Sequence, residues 1–410
     1  MIYGCIGEHL PHSFSREIHE QIGDYAYELR EIAPDGLDSF MRECPFKAIN
    51  VTIPYKQAVI PYLSWISETA AEVGAVNTIV NRNGRLYGYN TDFDGLSALI
   101  RRTGLNLAGK RVLILGTGGT SRTALLVARD MGAARVDRVS RMAREGALTY
   151  EEALKGDADV IINTTPCGMF PNRDAMPVQP AAFASLGGAI DAIYNPLRSR
   201  LVLAARRLGI PAEGGLYMLV AQAVRASEIF CDAQYPDGLA NEIYRNTLRR
   251  KENIVLIGMP GSGKTTVARL VGQRLGRPVV DTDERVVQKA GMSIPDIFAR
   301  FGEARFRDLE SEVISELADG VGQVVATGGG AVLREGNIEA LRQNGRIFLL
   351  DRPLAELTPT EDRPLGNTRG KIERLYRERM PLYRAAADEA VDSAATPEET
   401  AMTVVKRVSE

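Results

Sequence analysis

The sequence predicts an α/β protein built on parallel sheets and arranged as two modules, residues 1–250 and 251–410. Three observations predict it. Apolar, β-branched runs recur between helix-length amphipathic stretches, the pattern of parallel strands covered on both faces. Two glycine-rich turns, at 116–119 and 258–263, each follow such a run and open a helix-length stretch. A charged stretch, NTLRRKEN at 246–253, closes a helix expected over 237–249, and a fresh buried strand is expected at 254–257.

Taken in order, the first module opens with MIYGCIG (1–7) and FKAINVTI (46–53), which have strand length and β-branched content. Asn83-Gly84 marks a two-residue hairpin. A softer boundary falls near 104–109, just before a strand expected at 111–115. KRVLILG (110–116), DADVIINTT (157–165) and GAIDAIY (188–194) continue the alternation, with a helix expected over 120–131. The first module therefore reads as one lobe of 1–104 plus 216–250 and a second of 105–215. In the second module ENIVLIG (252–258), GQVVATG (322–328) and GRIFLL (345–350) read as strands, with a helix expected over 264–275. The irregular stretch 352–370 has the length of a lid.

Composition narrows the function. Lys plus Arg total 50 and Asp plus Glu total 52, and residues 1–250 alone hold 27 of each sign. Neither module is a basic body, so nucleic acid is not an expected partner. The four cysteines, Cys5, Cys44, Cys167 and Cys231, are far apart and read as reduced thiols of a cytoplasmic protein. The three histidines, His9, His12 and His19, all fall within the first twenty residues, so no zinc site is expected. No run approaches the ~18 apolar residues of a membrane span. The N-terminus has no basic stretch and carries Glu8, so a signal peptide is not expected.

The most specific motif is GMPGSGKTT at 258–266, which fits GxxxxGK[ST] between a strand and a helix. Gly261, Ser262, Gly263 and Thr266 would form a loop whose N–H groups converge on phosphate oxygens at a helix N-terminus. Lys264 would reach the outer phosphates of ATP and Thr265 would ligate Mg²⁺. The next strand is expected to end in Asp281-Thr282-Asp283, with the two carboxylates on one face. One could serve magnesium and the other an acceptor hydroxyl; Asp283 alone would equally be a helix cap. Arg307 and Glu310 stand at i, i+3 of a charged helix, where a solvated ion pair is the plainer reading. Gly328, Gly329 and Gly330 follow a strand expected at 324–327 and allow close approach to a ligand.

These pieces, together with EARFRDLE (303–310), DRPL (362–365) and RERMPLYR (377–384), resemble the shikimate kinases across 253–410. The resemblance implies a P-loop kinase domain that binds ATP and Mg²⁺. It implies that Asp283 grips the hydroxyls of shikimate and that Arg307 and Arg379 clamp its carboxylate. Gly329 and its neighbours would line the ring, Arg363 would close from the lid onto the phosphates, and Asp281 with Thr265 would serve the metal. The chain departs from the family at AELTPTE (355–361), where many members carry an adenine-stacking arginine.

In the first module, Gly116, Thr117, Gly118, Gly119 and Thr120 form a glycine-rich turn between a strand and a helix, with Ser121 in place of a third glycine. The next strand ends in Ser140-Arg141, with Arg144 close by. Cations there, where an NAD site would carry an acid, suit the 2′-phosphate of NADP. Ser13 and Ser15 are two hydroxyls at i, i+2 that could face a carboxylate from an extended segment; Ser15 would equally cap a helix. NVTIPYK (50–56), GAVNT (74–78) and GYNTD (88–92) add amide, hydroxyl, ammonium and carboxylate groups.

Together with NTTPCGM (163–169), DAIYNP (191–196) and GLYMLVAQA (215–223), this set resembles the shikimate dehydrogenases across 1–250. The resemblance implies a two-lobed dehydrogenase, an α/β substrate lobe plus a Rossmann NADP lobe. By it, Ser13, Ser15 and Thr52 bind the substrate carboxylate, and Asn77, Asp92 and Gln222 the ring hydroxyls. Lys56, paired with Asp92, handles the proton as NADPH reduces 3-dehydroshikimate. Tyr194 and Gly215 lie near substrate and nicotinamide, and Glu68 matches a cofactor contact. The chain departs at Arg16, where the family usually has proline. A chain with both resemblances implies a bifunctional enzyme of aromatic biosynthesis: reduction to shikimate, then its phosphorylation by ATP. A quinate/shikimate dehydrogenase fused to a kinase is a second reading. A ligand-sensing regulator is a third, which should have lost Lys56, Asp92, Lys264 or Asp283; all four are present. Monomer and homodimer are both open.

Overall fold

The computed structural model describes residues 2–10, 13–357, 368–393 and 396–410. The chain divides into two compact units, Met1–Thr247 and Leu248–Glu410. The helix expected at 237–249 runs from Leu239 to Lys251, so the charged 246–253 stretch closes it two residues later than expected. Its basic last turn, Arg249, Arg250 and Lys251, suits the negative end of the helix dipole.

The first unit holds two sheets. One is built from β1 (Tyr3–Gly7), β2 (Tyr27–Glu31), β3 (Ala48–Val51), β4 (Trp65–Ile66), β5 (Thr78–Arg82) and β6 (Arg85–Tyr89), in the order β2-β1-β3-β5-β6-β4. Parallel pairing gives way here to the expected hairpin: β5 runs antiparallel to both β3 and β6. The Asn83-Gly84 turn, whose positive φ angles of 55° and 83° make a tight hairpin, sets the β5–β6 pairing. Strand β1 is buried throughout and feeds two cores by alternation, Ile6 into one and Tyr3 with Cys5 into the other. The helix Leu216–Cys231 covers the second of these with Ala226 and Phe230. Trp65 on edge strand β4 is 47% exposed and tilts against Tyr87 and Tyr89.

The second sheet comprises β7 (Arg111–Leu115), β8 (Arg135–Ser140), β9 (Leu148–Thr149), β10 (Val160–Asn163), β11 (Gly188–Asp191) and β12 (Ala212–Glu213). All neighbours are parallel and the order is β12-β11-β10-β7-β8-β9. That is the doubly wound dinucleotide-binding order, with its switch point at β7 and β10. The helix expected over 120–131 starts one residue earlier, Gly119–Asp130.

The second unit is a single parallel sheet of β13 (Asn253–Ile257), β14 (Val279–Asp281), β15 (Val324–Ala326), β16 (Gly345–Asp351) and β17 (Glu389–Asp392), ordered β14-β15-β13-β16-β17. The helix Lys264–Leu275 buries Val267, Ala268 and Val271 against one face. The long helix Ile294–Ala318 covers the other and is broken at Gly302, whose φ of 79° no helix interior has. Among the described residues no helix is long and apolar enough to cross a membrane.

Candidate active sites

In the first unit the polar groups converge where β3, β5 and the helix Asp92–Arg102 meet. Lys56 Nζ donates to Asp92 Oδ2 at 2.6 Å; the side chains are 20% and 6% exposed. Asn77 donates through Nδ2 to Asp92 Oδ1 at 2.9 Å, and its own oxygen accepts from the Thr91 amide at 2.8 Å. The backbone fixes this arrangement: Val76 N–H bonds the Lys56 carbonyl at 2.8 Å. Gln222 approaches from the helix Leu216–Cys231, over Gly95, where a Cβ would stand 3.0 Å from Gln222 Cβ. Its Oε1 is buried and has no hydrogen-bond partner among the described residues.

The serines are arranged differently from expectation. Ser15 is the first residue of the helix Ser15–Ile22, and its amide donates to Ser13 Oγ at 3.3 Å, so the pair sits in a turn and not on one face of an extended segment. Ser15 does not cap that helix either, since Phe14 occupies the cap position. Phe14 reaches across to Tyr194 of the other lobe, ring centroids 5.3 Å apart. Burial pushes the Tyr194 phenol up to about 12. Thr52 is half-buried, with its amide bonded to Ile6. His12 lies outside the described residues.

The dinucleotide turn has the required shape. Gly116 adopts φ 111°, and a Cβ there would stand 2.8 Å from Thr164 Oγ1. Gly118 and Gly119 at the helix N-terminus have open space where a side chain would be. Ser140 ends β8; Arg141 and Arg144 are exposed, and Arg144 donates to Thr117 Oγ1 at 3.1 Å. These residues fit a dinucleotide with a 2′-phosphate. Glu68 is exposed in the first turn of the helix Glu68–Val73, which packs beside Gly119–Asp130. Gly215 admits no side chain, since a Cβ would overlap the Ala192 carbonyl.

Sequence reasoning gave no role to the polar knot behind that wall. Asp191 is fully buried at the end of β11 and accepts from Asn163 Nδ2 at 3.0 Å, Ile193 N at 3.0 Å and Ser199 Oγ at 2.5 Å. Burial outweighs these bonds and raises its carboxyl to about 7. The signal was available in the sequence: polar residues ending two apolar runs at the carboxyl edge of a parallel sheet.

In the second unit the phosphate loop and the acceptor groups line one cavity of about 280 Å³. Lys264, Thr265 and Asp281 stand on its wall with Asp283, Arg307 and Arg379. Lys264 Nζ donates to the carbonyls of Gly258 and Met259 at 2.9 and 3.0 Å. Thr265 Oγ1 donates to Asp281 Oδ2 at 2.6 Å. A hydroxyl beside a carboxylate is the oxygen donor set that magnesium takes. The shared strand face expected for the two aspartates is not the reason they meet. β14 ends at Asp281, which caps the helix Thr282–Ala290 by accepting from the Asp283 amide at 2.9 Å, and Asp283 projects from its first turn.

Arg307 and Glu310 are not solvated. Arg307 donates to Glu310 Oε2 at 2.8 Å, and the carboxylate is 0% exposed. Burial, opposed by the Arg307 guanidinium, raises the Glu310 carboxyl, and its Oε1 has no hydrogen-bond partner among the described residues. Arg379 Nη1 and the Tyr383 hydroxyl both donate to the Gly329 carbonyl, at 2.8 and 2.5 Å. Gly328 and Gly330 leave no room for a Cβ, the first because of Asp283 and Glu310 and the second because of Arg307. Gly261, Gly263 and Thr266 border the cavity, whereas the Ser262 side chain is buried and its hydroxyl has no hydrogen-bond partner among the described residues. Arg363 and the rest of 358–367 lie outside the described residues.

Comparison with known proteins assigns both units. Residues 260–409 match the family model for shikimate kinase, and residues 5–79 match that for the shikimate dehydrogenase substrate binding domain. The NADP(+) shikimate dehydrogenase of Clostridium beijerinckii is 35% identical over 259 residues, which are 59% of this chain and 96% of that protein. A shikimate dehydrogenase structure from Peptoclostridium difficile aligns with TM-score 0.56 at 35% identity, covering 60% of this chain and 97% of that one. A chorismate mutase/shikimate 5-dehydrogenase fusion from Clostridium acetobutylicum aligns with TM-score 0.57 at 34% identity, covering 60% and 96%. A Thermus thermophilus shikimate 5-dehydrogenase in complex with NADP(H) and shikimate aligns with TM-score 0.55 at 27% identity, covering 60% and 99%. The chain belongs to the shikimate dehydrogenase family and carries a shikimate kinase domain after the dehydrogenase.

Proposed function

We propose that this bifunctional enzyme of the shikimate pathway reduces 3-dehydroshikimate at the Lys56–Asp92 pair and phosphorylates shikimate in the cavity of its second unit. In domain terms, residues 1–250 form the dehydrogenase, with 105–215 as its NADP lobe, and 251–410 form the kinase.

For the reduction, NADPH supplies the hydride. Lys56 donates the proton to the oxygen that was the carbonyl, and Asp92 orients its ammonium for that transfer. Asn77 and Gln222 hold ring hydroxyls. The unpartnered Gln222 oxygen supports this reading, because a substrate hydroxyl would satisfy it. Ser13, Ser15 and Thr52 take the carboxylate; Tyr194 and Gly215 shape the wall where substrate and nicotinamide meet.

For the phosphorylation, Arg307 and Arg379 clamp the shikimate carboxylate and Asp283 orients its 3-hydroxyl. Lys264 exchanges the two loop carbonyls for phosphate oxygens, and Arg363 adds a cation from the 352–370 segment. Thr265 and Asp281 would hold Mg²⁺, whose charge offsets that of the phosphates. This is catalysis by positioning and charge neutralisation. The observation that carries the reading is the single cavity with the phosphate loop and the acceptor clamp on its walls.

The test is product identification by mass spectrometry from 3-dehydroshikimate, NADPH, ATP and Mg²⁺. Shikimate 3-phosphate in the full mixture, and shikimate alone when ATP is omitted, are the expected outcomes. Shikimate in both would refute the kinase assignment. No reduced product would favour the regulator. Turnover of quinate at rates matching shikimate would favour the quinate/shikimate reading of the first unit.

A further inference from the structure

We infer that Arg122 and Gln57 form a latch that holds the dehydrogenase cleft closed before either ligand arrives. Arg122 belongs to the first turn of the helix Gly119–Asp130, directly after the dinucleotide turn. Gln57 belongs to the other lobe and follows Lys56. With its amide oxygen turned to the guanidinium, Gln57 accepts from Arg122 Nη1 and Nη2 at 2.6 and 2.7 Å. The same guanidinium sits against Gly74, where a Cβ would lie 3.3 Å from Nη1. Gly74 adopts φ 66° as the cap of the helix Glu68–Val73 and leads into Asn77. One arginine from the cofactor lobe therefore engages two substrate-lobe segments, one carrying the proposed proton donor Lys56 and the other the substrate-binding Asn77, and the Val76 to Lys56 backbone bond ties those segments together. Phe14 on Tyr194 is a second contact across the cleft.

The latch rests on the functional reading above, in which NADP and shikimate bind on opposite sides of this cleft. If both ligands prefer the closed cleft, a contact that favours closure raises the affinity for each in proportion to the closed fraction. Removing it lowers the affinity for each ligand alone. The ternary complex, closed by the ligands themselves, loses less. Binding of the two ligands then becomes more synergistic, not less.

The consequence is a crossed effect that direct contact does not produce. Gln57→Ala, on the substrate lobe, should weaken NADP⁺; Arg122→Ala, on the cofactor lobe, should weaken shikimate. The measurement is a two-substrate initial-rate matrix on the full chain, shikimate against NADP⁺ without ATP, so that the kinase site does not contribute. Each single variant should raise both binary dissociation constants about fivefold, within the usual range of coupling between sites. The ternary KM values should change by less than about twofold and kcat should hold. The double variant should be no worse than either single one, because both remove the same contact. Gln57→Glu, which gives the guanidinium a carboxylate, should tighten both binary constants. Each variant affecting only the ligand of its own lobe, or effects that add in the double variant, would overturn the latch. A wild-type chain that turns over neither substrate would instead overturn the functional reading.

Discussion

Lys56 and Asp92 differ in depth, and that difference assigns their work. The carboxylate is nearly enclosed while the ammonium keeps 20% exposure, so the cation is the partner placed to meet a substrate. Lys56→Ala should cut reduction by about 10²–10⁴-fold, the usual contribution of a positioned acid, and leave phosphorylation of supplied shikimate within about twofold. Asp283→Ala should do the reverse. Separate assays of the two half-reactions read this directly, and loss of both from either substitution contradicts independent sites. Asp191 makes a different demand, on pH. Its folded carboxyl is raised to about 7 by burial against an ordinary 3.8. The stability its protonated form contributes is therefore complete below about pH 4 and disappears as pH rises through about 7. The difference is roughly 4 kcal/mol for this fully enclosed group. The melting temperature of the first unit should fall between about pH 4 and 7 and level off above that, and Asp191→Asn should flatten the fall; an unchanged slope would show that the carboxyl titrates normally.

Glycines decide much at the level of the element. A Cβ at Gly328 would crowd Asp283 Oδ1 and lie 2.7 Å from Glu310 Oε1. Gly328→Ala should therefore raise the KM for shikimate in phosphorylation by about tenfold or more, a displacement cost of at least about 1.4 kcal/mol, without touching reduction. Equal kinetics for the variant would mean that the strand end is looser than its packing indicates. The same elements show what a linear reading can reach. The phosphate loop was legible because GMPGSGKTT needs only a strand before it and a helix after it, both of which are local. The hairpin at Asn83-Gly84 was legible for the same reason. The antiparallel pairing of β5 with β3 was not, because it joins strands distant in the chain. The strand read as ending in Asp281-Thr282-Asp283 stops at Asp281, which keeps its extended backbone and caps a helix that Thr282 and Asp283 open. Glu310 read as a surface acid because i, i+3 charge pairs usually face water, and its burial depends on the sheet it packs against. Tyr383, now on the Gly329 carbonyl, had no local signal at all.

At the scale of the whole molecule, each unit has hydrophobic clusters of its own, for example Ile6 with Ile49 in the first and Val255 with Ile347 in the second. Separate cores predict separate melting. Calorimetry should resolve two transitions, one raised by NADP⁺ and the other by ADP with Mg²⁺. Each shift should reflect about 2.7 kcal/mol at a ligand concentration of one hundred times Kd. A single transition moved by either ligand would refute independent cores. The chain also supplies its own means of telling the transitions apart. It has one tryptophan, Trp65, which is half out of water on an edge strand of the first unit and ringed by Tyr87 and Tyr89. Indole emission excited selectively thus reports on the dehydrogenase alone, while far-ultraviolet dichroism sums both units. The difference between the two signals is an optical readout of the kinase that requires no label and no substitution.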